Sequence, residues 1–526
     1  MNRLSLLLRK FESVHIIYQI NPLSMKPKFS QSVMKKMYIL FIILLISFQG
    51  IAQETPRTLT LDQAIDIALD QSPTALSAKH RFRASYWQYR TFVAEYRPKL
   101  NLDATLPSLN RSIQSIQQDD GSFVFQSSES ATSSLDLSLR QKIGFTGGEI
   151  FLSSGMERLD LFLNDSTITS YLTTPINIGF NQPLFGFNRY RWDKDIVPLE
   201  YEEAKQNYTE TLERVKLETA NYFFAVLQAQ MQHRINLMNQ ANNDTLYRIA
   251  QGRYNIGTIA ENELLQLELR LLQSNANVES SALDLENKLF ELKSYLRLPE
   301  DDSLMLNVPT PETTFMASAD KATAMARENR ADALAFERRE MEARMEVNRA
   351  KRESRFSMNL YARYGLTQSA AALSDAFQDP SESQQLTIGI SVPIIDWGLA
   401  KGKIRMAESN RELVLSNVEQ ERIDFLQQVR YQVDQFNMQA NQLRIAAKSD
   451  TVAQKRYNVT KQRYLIGKIS VTELNIAQEE RDNARLGYIN ALQNYWRNYY
   501  RLRQETLYDF EQDREIEVEP EELLEN

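Results

Sequence analysis

The 526-residue chain contains no cysteine, which excludes disulfide bonds, thiolate metal sites, thiol nucleophiles and a lipid anchor on an N-terminal cysteine. Histidine is almost as scarce, because His15, His80 and His233 are the only three and no two of them lie within helical reach of each other. We therefore expect neither a metal site nor a cofactor. A glycine-rich loop of the nucleotide-binding kind is absent as well, and we expect no enzymatic activity.

Long apolar runs are also missing, apart from one near the start of the chain. Residues 38–48 (YILFIILLISF) follow two lysines and precede small residues, which is typical of a secretory signal peptide and too short for a membrane-spanning helix. We assign the signal peptide to 34–52, with cleavage after Ala52, and interpret residues 1–33 as a non-native extension from a mis-set start codon. Loss of this basic segment makes the chain more acidic than its formal net charge of −7, which argues against nucleic acid as a partner.

The sequence is internally duplicated. Residues 64–68 match 322–326 at an offset of 258, whereas residues 253–257 (RYNIG) match 463–467 (RYLIG) at an offset of 210. The register changes once, so the first copy carries an insertion of 48 residues between the two matches. We place the two repeats at 53–300 and 301–508.

Each copy has the same order of elements: an alanine-rich helix (about 60–95 and 318–353), two alternating segments typical of half-polar strands, and two very long helices. The long helices contain hardly any proline or glycine, and apolar residues recur every seventh position, as in helices packed like a coiled coil. Proline and glycine instead mark the strand ends, at Pro98, Pro183, Pro393 and Gly398. The long helices are predicted at about 198–252, 260–298, 400–463 and 471–507.

The helices alone also fit a soluble periplasmic coiled-coil scaffold without a pore. The strands favour a different interpretation, because strands with two unlike faces cannot bury their edges within one protomer. Several protomers together could close a barrel and remove every edge. With an export signal, the combination predicts a mostly α-helical chain that contributes to a membrane β-barrel.

In this order, and twice, the motifs closely resemble the TolC family of outer-membrane efflux proteins. The resemblance covers nearly the whole mature chain, from 59–64 (LTLDQA) through 182–186 (QPLFG) and 392–398 (VPIIDWG) to the second glycine turn. It implies a homotrimer that shares a twelve-stranded barrel in the outer membrane of a Gram-negative bacterium, continued by a helical tunnel across the periplasm. It also implies a passive conduit for efflux or type I secretion, joined to a periplasmic adaptor and an inner-membrane transporter of the RND or ABC class.

The resemblance also implies that the helical tips contact the adaptor and close the tunnel at an acidic constriction just beyond the second glycine. Glu473 holds the first acidic position of that constriction, Ile476 replaces the second, and Glu263 is the equivalent of Glu473 in the first copy. Ser470 and Glu473 also fit a helix capping box, so a structural role for Glu473 is an alternative to a gate. The tip residues are Ile256, Gly257, Thr258, Ile466, Gly467 and Lys468.

Two further segments depart from the repeat. The insertion, at 105–172, contains alternating apolar residues on both sides of a glycine-rich turn and predicts an additional hairpin. If the hairpin joins the wall, each protomer gives six strands; if not, it caps the outer opening, which we favour because barrel closure then changes less. The tail at 509–526 is acidic with few large apolar residues and is predicted to be disordered.

Overall fold

The computed structural model describes residues 57–163, 166–301, 303–309, 311 and 315–518. One compact unit, which begins at Thr58, holds all of these residues except Arg57. The expected extension at 1–33 and the expected signal peptide at 34–52 lie outside the described residues.

The described helices are α1 Leu61–Gln71, α2 Pro73–Glu95, α3 Tyr190–Asn255, α4 Glu261–Leu296, α5 Ala319–Asn329, α6 Ala331–Glu353, α7 Leu399–Leu465 and α8 Val471–Thr506. The last four repeat the lengths of the first four: 11, 23, 66 and 36 residues are followed by 11, 23, 67 and 36. The duplicated protomer is therefore confirmed. None of these helices combines the length and the apolar character needed to cross a bilayer.

Each alanine-rich segment, expected as one helix, is divided into two. Ser72 separates α1 from α2, and its hydroxyl oxygen accepts a hydrogen bond from the Ala75 backbone N–H at 3.2 Å. Pro73 takes the first position of α2, which proline favours, whereas the same residue inside a helix would break it. Arg330 holds the corresponding place between α5 and α6.

The long helices pack as two antiparallel hairpins, α3 with α4 and α7 with α8, and α3 also lies against α8. Phe223, Phe224, Phe436 and Leu492 are fully buried in the core that these helices share with α1 and α5. Each large apolar side chain removed from water contributes ~1.5–3 kcal/mol. Since the core draws on both copies, it joins the two repeats into one unit.

The described strands are β1 Arg57–Leu59, β2 Lys99–Gln117, β3 Phe123–Ile143, β4 Gly148–Phe162, β5 Thr167–Leu184, β6 Leu304–Leu306, β7 Ser357–Ala370, β8 Ser381–Ser391, β9 Tyr508–Asp509 and β10 Arg514–Glu515. Six of them form one antiparallel sheet in the order β2-β3-β4-β5-β7-β8. The predicted extra hairpin is β3 and β4, and it lies in the middle of this sheet. The cap that we favoured is therefore wrong, because both strands satisfy their backbone groups by pairing with β2 and β5.

The first part of the acidic tail is ordered, contrary to the predicted disorder. β9 pairs with β10, and Asp509 is 2 % exposed because it forms an ion pair with Arg503. Arg503 also binds the buried Glu213, with Nε 2.9 Å from Oε2. The tail is held by a half-buried cation on α8, and residues 519–526 lie outside the described residues.

Candidate functional site

One face of the six-stranded sheet is apolar across every strand. Directly opposed residues of antiparallel strands point to the same face, so Leu102 pairs with Leu137, and Leu152 pairs with both Leu139 and Ile178. An exposed apolar surface of this extent marks a membrane or partner contact. We call this set the apolar band; it comprises Leu100, Leu102, Leu135, Leu137, Leu139, Ile150, Leu152, Ile176, Ile178, Tyr364, Leu386, Ile388 and Ile390, each at least 39 % exposed.

The opposite face of the sheet is largely polar, apart from aromatic side chains such as Phe151 and Tyr361. It carries Asp103 opposite Asp136, and Arg363 opposite Gln385. Asn177 on the same face donates from Nδ2 to Ser153 Oγ at 3.3 Å. The two faces therefore suit hydrocarbon on one side and water on the other, as the alternation in the sequence predicted.

The predicted turn residues lie at the end of the sheet where the strands meet the helices. Pro98 immediately precedes β2, Pro183 is the next-to-last residue of β5, and Pro393 follows the end of β8 by two residues. Gly398 precedes α7 with a φ of 86°, a left-handed conformation that glycine adopts without steric cost.

Two aromatic side chains at this end of the sheet are almost fully exposed. Trp397 follows β8 and is 94 % exposed, and Phe145 lies in the β3–β4 turn and is 95 % exposed. Aromatic residues at such positions sit at the headgroup level of a membrane. The sheet therefore has an apolar band bordered by aromatic residues at its helical end.

The two predicted tips are the reversals between α3 and α4 and between α7 and α8. Gly257 and Gly467 have φ values of 71° and 74°, and no atom lies where a Cβ would be. After each glycine the chain turns back, with the Thr258 N–H donating to Arg253 O and the Lys468 N–H donating to Arg463 O, both at 2.9 Å. The exposed Ile256 and Ile466 lie beside these glycines, so the tips present apolar side chains on tight turns.

The two gate candidates lie in the first turns of the helices that follow the tips. Glu473 is exposed, and its backbone N–H donates to Ser470 Oγ at 3.3 Å. The reciprocal bond that would complete a capping box, from the Ser470 N–H to the Glu473 carboxylate, does not occur among the described residues. Glu263 is half-buried near Tyr464, whose pKa is raised mainly by burial and further by Glu263. Capping thus uses the backbone of Glu473 and leaves its carboxylate exposed.

A contact between the two tips was missed by sequence reasoning. Arg253 reaches from the first tip to the second, where its Nη2 donates to Leu465 O at 2.9 Å and its guanidinium lies 5.6 Å from the centre of the Tyr464 ring. Arg463, its equivalent in the second copy, is exposed. Because both arginines lie in the same motif, no sequence signal distinguishes them.

A polar layer in the helical core was also missed. Arg481 in α8 is only 3 % exposed; its Nη2 donates to Asn239 Oδ1 at 2.8 Å and its guanidinium lies 4.1 Å from the centre of the Tyr457 ring. Asn239 in turn donates to Asp482 Oδ2 at 2.7 Å. This layer lies between the large apolar core and the tips. Across the described ranges, no group of three or more metal-binding side chains lies together.

Comparison with known proteins identifies a family whose model matches this chain and solved structures that share its fold. The family model described as "Outer membrane efflux protein" matches residues 64–296 and 323–506. A search of curated proteins found no match.

Several solved structures share the fold. A membrane protein from Pseudomonas aeruginosa is 15 % identical with a TM-score of 0.62, covering 87 % of this chain and 92 % of that chain. The Campylobacter jejuni CmeC outer membrane channel is 16 % identical with a TM-score of 0.61, covering 88 % of both chains. The open state of the Neisseria gonorrhoeae MtrE outer membrane channel is 15 % identical with a TM-score of 0.59, covering 87 % and 91 %.

Proposed function

The chain belongs to the outer membrane efflux protein family and is an outer-membrane efflux channel, and we propose that three copies form a passive duct. The observation that carries this proposal is the apolar band together with the two edges of the sheet. Among the described residues of one copy, β2 and β8 are the edge strands of the sheet, and unpaired backbone groups are costly inside a membrane. Pairing between copies removes both edges, and the polar face then lines a water-filled passage.

The helical tips are the proposed docking surface. Members of this family work with efflux pumps, and we infer that a periplasmic adaptor contacts Ile256, Thr258, Ile466 and Lys468 around the two tip glycines. An inner-membrane transporter of the RND or ABC class supplies the energy. The exposed isoleucines support this assignment, since apolar side chains held on tight turns can be buried in a pocket of a partner protein.

Glu473 is the proposed gate residue. Its carboxylate is exposed at the start of α8, beside a tip, and three copies in a trimer would form one acidic ring. Glu263 is half-buried at the equivalent place and is the weaker candidate. A ring of carboxylates attracts cations and, when the tips lie close together, narrows the entrance.

The test is the conductance of purified trimers in planar bilayers. The Glu473→Ala variant is expected to raise basal conductance or to reduce cation preference, because it removes the carboxylate ring. The helix start should be kept, because the cap at Ser470 uses only the backbone of residue 473. Glu263→Ala removes the carboxylate at the equivalent place in the first repeat and should have a smaller effect, and Ser470→Ala removes the cap without removing the charge. Trimers that conduct identically with and without Glu473 would contradict the gate, and a protein that forms neither heat-resistant trimers nor channels would contradict the duct.

A further inference from the structure

The inserted hairpin is integrated into the sheet from one end to the other. All residues of β4 pair with β3, and β3 pairs with β2 from Phe123 to Arg140. On its other side, β4 pairs with β5 from Glu149 to Phe162. The insertion therefore separates β2 from β5, and removing it from the sheet would leave two more unpaired edges.

The hairpin is also fixed by specific side-chain contacts at its turn. Asn188, just before α3, donates from Nδ2 to Gly144 O at 2.9 Å, and Gln182 donates from Nε2 to Thr146 O at 3.0 Å. Gln141 in β3 donates from Nε2 to Tyr96 O at 2.8 Å. These bonds hold the turn at the helical end of the sheet, opposite to where an outer cap would lie.

A ring from the hairpin fills the space above a glycine of the original sheet. Phe151 in β4 lies over Gly179, its direct partner in β5, and leaves no room for a Cβ there. The same ring stacks near Tyr361 in β7, with the ring centres 6.1 Å apart. Aromatic rings over cross-strand glycines fix the register of a sheet, so this pairing is specific.

Both faces of the hairpin continue the faces of the sheet. Leu137 and Leu152 belong to the apolar band, and Asp136 belongs to the polar face. The band ends beyond Leu135 at charged residues on the same face, where Arg111 Nε lies 2.6 Å from Glu129 Oε1. The hairpin thus has the same membrane-facing character as β2, β7 and β8.

Four helices are joined to the strands at the helical end of the sheet. At the helical end, α2 leads into β2, β5 leads into α3, α6 leads into β7 and β8 leads into α7, and these four helices pack in the row α2-α3-α6-α7.

We propose that three copies close one barrel of eighteen strands, six of which come from the inserted hairpins, two from each copy. Each edge strand pairs with a second copy of this chain, so that β2 of one copy pairs with β8 of the next. β2 runs away from the helices and β8 runs towards them, so this joint is antiparallel like every other pair in the sheet. Since barrel diameter grows roughly linearly with strand number, the passage is about 1.5 times as wide as in a twelve-stranded barrel. This inference rests on the proposed trimeric duct.

The absence of native cysteine allows single spin labels to test this proposal in the intact trimer in lipid. In β3 the variants are Leu137→Cys and Asp136→Cys; in β8, which belongs to the wall with or without the hairpin, the controls are Ile388→Cys and Thr387→Cys. We expect the labels at 137 and 388 to collide with oxygen dissolved in lipid, and those at 136 and 387 to collide with a water-soluble nickel complex.

A label at 137 that is as accessible to water as the label at 387 would overturn the eighteen-stranded barrel and leave the duct intact. Failure of the β8 pair to distinguish lipid from water would instead contradict the duct itself. Cryo-microscopy of the same trimers in lipid discs gives an independent count of the strands, for which twelve is the contradicting result.

Discussion

The contact between the two tips gives a prediction with an internal control. Arg253 and Arg463 lie in the same motif of the two repeats, but only Arg253 spans the tips, through Leu465 O and the ring of Tyr464. Arg253→Ala should therefore separate the tips, whereas Arg463→Ala should leave them packed. The two variants lose the same charge and the same number of atoms, so net charge and general helix effects cancel in the comparison.

The magnitude follows from the two interactions that Arg253 makes. A hydrogen bond from a charged donor contributes about 1.5–3 kcal/mol, and a partly exposed cation–π contact adds about 0.5–1 kcal/mol. Taking these as partly overlapping, the loss is about 2–3 kcal/mol for each protomer. At a tenfold change for every ~1.4 kcal/mol, the equilibrium between packed and separated tips shifts by roughly 30- to 150-fold.

Hydrogen–deuterium exchange of the trimer measures this shift directly. In Arg253→Ala, the amides at residues 246–258 and 457–468 should exchange faster, by up to that factor, while those around Phe436 keep their wild-type rates. Arg253→Lys, which keeps the charge but loses the planar donor group, should give an intermediate effect. Equal exchange at the tips of Arg253→Ala and Arg463→Ala would refute the reasoning, because the contact across the tips would then carry no energy.

Further variants test the core, the turns and the buried charges. Phe436→Ala, at a fully buried site, should cost about 3–5 kcal/mol and lower the heat resistance of the trimer. Gly467→Ala should destabilise by ~1 kcal/mol because of its positive φ, whereas Gly487→Ala inside α8 should stabilise by a similar amount, and thermal midpoints give both signs. Glu213→Gln should cost about 1–3 kcal/mol, measured by the thermal midpoint of the trimer, because the half-buried Arg503 loses one of its two carboxylate partners. Burial raises the pKa of Glu210 to about 7. The protonated carboxyl therefore stabilises the folded state fully below pH ~4.5, and this stabilisation is lost as the pH rises through 7. Glu210→Gln should flatten that part of a plot of thermal midpoint against pH.

Local patterns in the sequence were enough to predict most of the elements. The long helices, the tip reversals and the half-polar strands depend on nearby residues: the absence of glycine and proline, a glycine at each reversal, and strict alternation. The breaks at Ser72 and Arg330 were missed although Ser72-Pro73 is a local signal, because alanine-rich sequence on both sides favours helix throughout.

The position of the insertion could not be predicted in this way. Alternation predicts a hairpin, but the neighbours of a strand are chosen by pairing between distant residues, such as Phe151 with Gly179. The ordered part of the tail is a similar case, because Arg503, which pairs with Asp509, is itself held by Glu213, 290 residues away in the sequence. Both errors came from interactions across long sequence separations.

The two repeats differ most where the protein meets the membrane. Their four helices have the same lengths to within one residue, but the first repeat gives four strands to the sheet and the second gives two. The additional strands of the first repeat therefore come with no difference in helix length between the repeats beyond that one residue. The turn of the inserted hairpin is bonded to Asn188 and Tyr96, both in the first repeat. If the proposed eighteen-stranded barrel is correct, the membrane end differs from that of a twelve-stranded relative while the proposed docking tips keep the same motif in both repeats.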